Sequence, residues 1–532
     1  MWCVPADLIC NPCAREGKDP VLTRLRVVAA VLLCALVTVG LSLNSAEAAG
    51  VARVGGLASS GTDWYNARLK AHWKGVSGAT YQMRWATSKA RLGSARPVAV
   101  RTTSGVSSAV NRCVPWYFQV RALRGSVAGA WSAPILIKFL VRRPAVPTFS
   151  AVGGTNSVTF NWPYANLAGR YRIRWDAAPF GRFPGSDTYV SPTSGGWVNQ
   201  YARSATLTLP TVPRAGDRMM GVAYANPVYA QIEANNPCVP AGLPHSTYIP
   251  VFPKAPDPGP GDALRIGTYN VELSPTGGAR MDTIADIVAD NHLQIVALQE
   301  ASRDTSAALV SRLGSLWAAV PWIAGSDQQI VYRKDNYRLV ADGSFLVANA
   351  KPGGSALVTP WARFRPLQPS SAQSQDVIVV SLHLTVNPDA SAMSKKAAAG
   401  AAARQALSGI DAINPGDLPV ITAGDFQYLR EPFGDVAGYV EAPPTFVRAG
   451  YYDAMAAVTK VNYQYTTVNG HASGYQVRST SGVGTRADYI MLKGFKGSNR
   501  YEDVINRFIP GTMTTPSDHN LILADVTVPY AP

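Results

Sequence analysis

Cysteine is scarce in this chain, with six in 532 residues, and four of the six precede position 50. Residues 262–532 hold none, so that half cannot build a zinc centre of the Cys/His type. Cys3, Cys10 and Cys13 lack a fourth ligand of the usual pairing, which argues against a metal there too. Beyond residue 48 only Cys113 and Cys238 remain, enough for one bridge in an oxidising compartment. Long apolar runs are also rare. Val27 to Leu43 is one, and about 17 residues is short for a bilayer span. Acidic side chains are thin in the middle of the chain. Residues 50–261 carry 6 against 23 basic ones, a net +17, whereas residues 262–532 carry 24 against 22. The +15 of the whole chain therefore belongs to its middle. Such a region concentrates polyanions: nucleic acid, anionic lipid headgroups or wall polymers. A solvated surface is the plain alternative.

What is present bounds the class. A hydrophobic content of 47% excludes general disorder. The 46 glycines and 39 prolines favour turns and linkers over a helical protein. The length exceeds one ordinary domain, and roughly two to four are expected.

The apolar run is preceded by Arg24 and Arg26 and followed by Ala46-Glu47-Ala48, the order of a secretory leader with an A-x-A cleavage site. Residues 1–48 are expected to be a signal peptide, with Met1 to Pro20 read as an extension from a misassigned start; an uncleaved anchor or a small cysteine site at the tip are the alternatives. The product is expected to be secreted, extracellular or held at the cell surface, with no stable membrane span after cleavage.

From Gly50 to Phe252 short alternating strands are separated by Gly, Ser, Pro and Asn. Tyr81-Gln-Met-Arg-Trp85 and Tyr171-Arg-Ile-Arg-Trp175 repeat about 89 residues apart, near the size of one β-sandwich. Each follows an isolated tryptophan, Trp73 or Trp162. Alternation places the large side chains on one sheet face and Gln or Arg on the other. With Tyr117-Phe-Gln-Val-Arg-Ala122 and Trp131-Ser-Ala-Pro134, the region resembles fibronectin type III modules. That resemblance implies two all-β immunoglobulin-like sandwiches, at 50–143 and 144–252, serving as spacers or adhesion surfaces. Residues 253–263, rich in Pro and Gly, read as a stiff linker.

From Leu264 the grammar changes to strands alternating with helical segments. Leu264 to Asn270 is a strand ending in an amide, and Ala279 to Asn291 an amphipathic helix. Gln294 to Glu300 and Asp376 to Leu384 follow, the second carrying His383, and then an alanine-rich helix from about Ser391 to Ile413. Leu418-Pro-Val-Ile-Thr-Ala-Gly-Asp-Phe-Gln427 is a buried strand delivering Asp425 to a sheet edge, where Gly424 permits close approach. Thr485 to Leu492 contributes Asp488, and Pro516-Ser-Asp-His-Asn520 leads into the last strand. Any one of these polar residues could be a cap or a turn. Together they sit where α/β folds assemble sites. Carboxylates with an amide oxygen suit a hard cation such as Mg²⁺, and two histidines suit proton transfer.

These motifs resemble the endonuclease/exonuclease/phosphatase superfamily, which includes deoxyribonuclease I, abasic-site endonucleases, neutral sphingomyelinases and inositol polyphosphate 5-phosphatases. The matching stretches are Thr-Tyr-Asn270-Val, Leu-Gln-Glu300, Ser-Leu-His383-Leu, Gly-Asp425-Phe, Arg486-Ala-Asp488-Tyr-Ile and Ser517-Asp518-His519, in the family's order. The resemblance implies a four-layer α/β sandwich with two mixed β-sheets over residues 264–530. It implies that Glu300 is the principal Mg²⁺ ligand, assisted by Asn270 and Asp518, with Mn²⁺ or Ca²⁺ as alternatives. Asp425 would orient or deprotonate the attacking water. His519, held by Asp488, would contact the phosphate, and His383 would serve the leaving group. Gln427 stands where the family has Asn, Gln294 where it has Asp, and Glu272 where abasic-site enzymes often have Asp. His471 and Arg478, in the loop before Asp488, and Arg486 are candidate substrate contacts.

The leading expectation is a secreted, metal-dependent phosphodiesterase acting as a monomer on extracellular DNA or RNA, its basic modules gripping an anionic cell-surface polymer or carbohydrate. The alternatives are a sphingomyelinase-like phospholipid phosphodiesterase, for which Trp317, Trp322 and Trp361 would supply apolar contacts, and a catalytically weakened adhesion protein.

Overall fold

Strands that alternate a large apolar with a polar residue have one dry face, and pairs of such strands bury that face together. The computed structural model of this chain describes residues 50–145, 148–155, 157–176, 181–182, 189–190, 193–194, 198–199, 201–208, 228–239, 246, 249–272, 275–347, 356–384, 392–426, 442–471, 474–479 and 482–532. The expected leader and Gln427 lie outside the described residues. Two compact units result, Met1–Phe139 and Leu140–Pro532.

The described residues of the first unit form a β region: β1 (Ala58–Asp63), β2 (Arg68–His72), β3 (Thr80–Ala86), β4 (Val98–Val100), β5 (Ser104–Val106), β6 (Trp116–Arg124), β7 (Val127–Ala128) and β8 (Ile135–Ile137). One sheet runs β1-β2-β5, and another β4-β3-β6-β7 with β8 also on β6. Tyr81 and Met83 of β3 and Phe118 and Val120 of β6 are buried with Trp73, while Gln82 and Arg84 keep partial exposure. Trp73 meets Tyr81 at 5.4 Å between centroids, and the Tyr81 hydroxyl accepts the Val76 N–H at 2.8 Å. Cys113 is disulfide-bonded.

The second unit begins with further strands: β9 (Ser150–Gly154), β10 (Ser157–Asn161), β11 (Arg170–Asp176), β12 (Gly181–Arg182), β13 (Tyr189–Val190), β14 (Thr193–Ser194), β15 (Val198–Asn199), β16 (Ser204–Thr208), β17 (Val228–Asn235) and β18 (Ile249–Val251). They form the sheets β16-β10-β9 and β14-β11-β17-β18, with β15 on β11 and a β12–β13 pair. Trp162 meets Tyr171 at 5.6 Å, and the Tyr171 hydroxyl accepts the Ala165 N–H at 2.8 Å. The sequence repeat is thus a repeated core device, a tryptophan against a tyrosine that also satisfies a turn N–H. Cys238 is disulfide-bonded.

The remainder is β19 (Gly261–Asn270), α1 (Gly278–Asp290), β20 (Ile295–Gln299), α2 (Arg303–Leu313), β21 (Trp317–Ala319), β22 (Gln328–Arg333), β23 (Tyr337–Val347), β24 (Leu357–Pro366), β25 (Val377–His383), α3 (Ala392–Ile413), β26 (Val420–Asp425), α4 (Ala442–Arg448), β27 (Tyr452–Asp453), β28 (Ala457–Val461), β29 (Asp488–Lys493), β30 (Ser498–Val504) and β31 (Leu521–Pro529). The sheet orders are β21-β22-β20-β19-β31-β30-β28 and β23-β24-β25-β26-β29-β27. Both are mixed, since β19–β20, β25–β26 and β28–β30 are parallel. β19 starts at Gly261, inside the stretch expected to be linker, because Gly261 to Thr268 pair antiparallel with β31.

Alternation explains the layers. Ile295 and Ala297 of β20 pack with Val377 and Val379 of β25 and Ile421 and Ala423 of β26, between the two sheets. Their neighbours Val296 and Leu298 turn to Met281, Ile284 and Leu309 on α1 and α2. Ile378, Val380 and Val420 turn the other way, to Ala403, Ala406, Ile410 and Phe446 on α3 and α4. Strands dry on both faces read as unbroken apolar runs. The result is helix, sheet, sheet, helix. No helix among the described residues is long and apolar enough to cross a membrane.

Candidate active site

Register brings the polar residues together. Parallel pairing of β25 with β26 sets His383 opposite Asp425, and antiparallel pairing of β26 with β29 sets Asp425 opposite Asp488. All three share parity with residues packed between the sheets, so their side chains face the other sheet. There, parallel β19 and β20 set Asn270 opposite Gln299, one position before Glu300. Ser517 to His519 lie just before β31, which pairs with β19. Gly424 is needed on the opposite face: a Cβ there would sit 1.8 Å from the Leu382 carbonyl oxygen.

Asp425 is the hub. Its Oδ2 accepts the Asn270 Nδ2–H at 3.1 Å and lies 3.6 Å from His519 Nε2 and 3.8 Å from His383 Nε2. Asn270 also donates to Glu300 Oε1 at 3.2 Å, while its oxygen accepts the Glu272 N–H at 3.0 Å. With two carboxylates on one side and an N–H on the other, the amide orientation is fixed by the network. Asn270, expected to help hold a cation, donates to both carboxylates here and spaces Glu300 from Asp425.

His519 Nδ1 lies 3.1 and 3.0 Å from the two Asp488 oxygens, and its Nε2 lies 4.0 Å from Asp518 Oδ1. Burial opposes its charge, but Asp488, Asp425 and Asp518 outweigh that and raise its pKa to about 10. The ring is a cation at neutral pH. Burial pushes the Asp488 carboxyl upward, and His519 opposes the shift. Asp425, Asp488 and His519 place ligand atoms within 4.8 Å of one another, a spacing that a metal could use. A metal there would have to displace the imidazole proton. Asp518 offers a better cation seat: burial raises its pKa, and Glu272 and Glu300 raise it further by repulsion. Three oxygen donors that repel one another suit a hard divalent cation.

The loop carrying Asp518 and His519 is pinned from behind. Ser517 Oγ donates to the Asn270 carbonyl at 2.7 Å, and Asn469 and Gly470 N–H groups donate to the Asp518 carbonyl. Asn520 Nδ2 donates to buried Asp503 at 2.8 Å. Glu272, Glu300 and His471 all have positive φ, 52°, 52° and 55°. For residues with a Cβ this costs about 1–3 kcal/mol each, and such strain collects at sites.

The other expected residues divide. His471 Nε2 lies 2.5 Å from Glu272 Oε2, at the rim, and Arg280 reaches the same carboxylate at 3.2 Å. Arg478 is exposed beside Tyr465. Arg486, expected as a substrate contact, is turned inward. Its guanidinium is buried, paired twice with Asp453 at 2.8 and 3.1 Å and stacked 4.1 Å over Tyr489. Gln294 supports β19 by accepting the Arg265 N–H. Sequence reasoning missed Asp453, Asp503 and Thr467, whose Oγ1 accepts the Ala487 N–H. None of the three sits in a motif, and their roles arise from distant pairing.

No curated protein matches the sequence. Similar solved structures include truncated Caenorhabditis elegans TDP2, 17% identical, covering 50% of this chain and 98% of that one with a TM-score of 0.36. Staphylococcus aureus beta toxin 275-280 is 14% identical over 51% of this chain and 100% of that one, TM-score 0.36. The FN1-FN3 domains of chicken CNTN1 are 16% identical over 38% and 66%, TM-score 0.17. Residues 267–519, which run from before Asn270 to His519, match the model of the Endonuclease/Exonuclease/phosphatase family.

Proposed function

We propose that residues 264–530 form a metal-dependent phosphodiesterase, that nucleic acid is its substrate, and that residues 1–48 direct its export. The observation that carries this reading is the convergence on Asp425 of His519, His383 and the Asn270–Glu300 pair. In-line attack at phosphorus needs an aligned water, neutralised phosphate oxygens and a protonated leaving oxygen. Asp425 orients the water and takes its proton. The His519 imidazolium, held by Asp488, binds a non-bridging phosphate oxygen. His383, beside Asp425, is placed to serve the leaving group. Glu300 and Asp518, with Asn270 and Glu272 near them, would hold Mg²⁺, with Mn²⁺ or Ca²⁺ as alternatives. When bound, it supplies charge neutralisation at the phosphate. The preceding strands are read as two fibronectin type III-like modules, 50–143 and 144–252. Their net +17 with the linker favours a polymeric anion.

One observation favours a second reading, a phospholipid diesterase. Tyr475 and Val477 are 73% and 85% exposed, and Gln476 between them bonds Asn520, next to His519. Trp317, by contrast, is core, and Trp322 and Trp361 are half-buried. A substrate panel tests both: duplex and single-stranded DNA, RNA, sphingomyelin and phosphoinositides, each with Mg²⁺ and with EDTA. Nucleotide release that needs Mg²⁺ and vanishes in Asp425→Ala and His519→Ala is the expected result. Equal activity in wild type and both variants would overturn the enzyme reading.

A further inference from the structure

Residues 50–139 contain 13 Lys and Arg but one carboxylate, Asp63. Cations so numerous repel one another. Their arrangement is not uniform. Cross-strand register places Gln82 opposite Arg121 and Arg84 opposite Gln119 on the outer face of β3 and β6. Each guanidinium gives its Nε and Nη2 to the glutamine oxygen facing it, at 2.6–3.1 Å. Both stack on one indole, Arg84 at 3.9 Å and Arg121 at 4.6 Å from the Trp131 ring centre. This locks two arginines side by side and leaves both Nη1 groups without a protein acceptor among the described residues. Burial, then the charge of Arg121, lowers the pKa of Arg84, as expected of like charges with no anion between them.

The same sheet is flanked by more charge. The connection from β3 to β4 and the residue after β4 present Lys89, Arg91, Arg96 and Arg101, all exposed. Lys89 lies 5.9 Å over the Tyr117 ring, on β6. Guanidinium forks fixed in orientation match phosphate oxygens, and basic side chains interleaved with aromatic rings are what a nucleic-acid strand needs. A lipid surface would call for large apolar side chains to insert, and the core of this patch, Arg84–Trp131–Arg121, is built of locked cations instead.

We propose that the outer face of the β4-β3-β6 sheet binds the phosphate backbone of nucleic acid, with Arg84, Arg121 and Trp131 at its centre. It does so independently of catalysis. It would hold a polymeric substrate on the chain between cleavage events, which raises effective concentration for polymers and not for small diesters.

The test measures binding of labelled single-stranded and duplex DNA of roughly 30 nucleotides to the purified full chain in EDTA, from ~50 to ~200 mM salt. Lys89→Glu/Arg91→Glu/Arg96→Glu/Arg101→Glu changes exposed side chains only, and Arg84→Gln/Arg121→Gln removes the centre. Each is expected to weaken binding at least about tenfold and to flatten the salt slope by ~0.9 for every phosphate no longer neutralised. Turnover of bis(p-nitrophenyl) phosphate with Mg²⁺ is expected to stay unchanged. Wild-type affinity in the exposed variant would overturn the proposal, as would wild-type binding to phosphatidylserine vesicles without binding to DNA. DNA binding in a chain that proves catalytically silent would sink the catalytic reading alone and leave this one standing.

Discussion

His519 and Asp488 form a buried pair in which the imidazole Nδ1 lies 3.0 Å from the carboxylate, while Nε2 remains directed at Asp425, 3.6 Å away. The pair fixes both ring orientation and charge. Asp488→Asn keeps the shape but gives up the charge that holds His519 protonated. A fall of about 10²–10⁴ in kcat with a smaller change in KM is expected. The double variant Asp488→Asn/His519→Ala should be no worse than His519→Ala alone, because the two act as a unit. Additive losses in steady-state kinetics would show that they do not.

Gly424→Ala tests how tightly the hub is held. The new methyl would meet the Leu382 carbonyl oxygen at 1.8 Å, so β25 and β26 must separate just where His383 faces Asp425. Overpacking of this kind costs about 1–3 kcal/mol or more. Thermal unfolding should register the loss, and the soluble fraction should be impaired in kcat. A variant as stable and active as wild type would show that the strands tolerate the displacement.

Arg486 carries a stability prediction in place of a binding one. It is almost fully buried and twice bonded to Asp453, which is also buried. Arg486→Ala leaves a buried carboxylate unpaired and should cost about 3–5 kcal/mol. Arg486→Met with Asp453→Leu should recover part of that, which chemical denaturation can measure. Loss of substrate affinity in Arg486→Lys at unchanged stability would return the residue to the substrate site.

Much of this was legible in the chain because the central strands are dry on both faces. Val377 to His383 and Val420 to Asp425 read as apolar runs ending in polar residues, the pattern that strands buried on both faces write. Helix boundaries came within a residue for α1, read from its amphipathic period, and for α3, read from its alanine-rich composition. What escaped is whatever depends on pairing across long gaps. Arg486 sits two residues from Asp488 in a motif, yet its environment is set by Asp453, 33 positions earlier. The orientation of the Asn270 amide depends on Glu300 and Asp425, 155 residues apart from it in the second case. Glu272, Glu300 and His471 take left-handed backbone that no local residue preference would suggest.

Lys460 makes stability depend on pH. Burial lowers its pKa from 10.5 to about 8, against a smaller opposing pull from Asp453, and its amine donates to the Ala457 carbonyl at 2.6 Å. Below pH 8 both folded and unfolded chains are protonated, and the folded chain bears the full cost of the buried charge. Between 8 and 10.5 the folded chain sheds the proton first, so the unfolded chain binds more protons and stability rises with pH. The gain of wild type over Lys460→Met across that window should approach about 2–3 kcal/mol. Urea melts of both proteins at pH 7.5, 9 and 10.5 would check it, and a constant difference would place the ammonium in water.

Tyr475 separates the two substrate readings. Its ring is largely exposed, edge-on to Phe508 at 5.6 Å, and the next residue, Gln476, anchors to Asn506 and Asn520. An aromatic side chain fixed at its base and open at its face is suited to stacking on an unpaired base, worth about 1–3 kcal/mol. If nucleic acid is the substrate, Tyr475→Ala should raise KM for single-stranded DNA roughly 5- to 150-fold, while Val477→Ser has little effect. If the substrate is a phospholipid, both residues enter the interface, and both variants should lose turnover on vesicles while keeping it on monomeric, short-chain lipid. Small diesters should be turned over normally by both variants, because neither residue touches Asp425 or His519. Steady-state kinetics on the three substrates therefore assigns the loop, since the two readings differ in the behaviour of Val477→Ser.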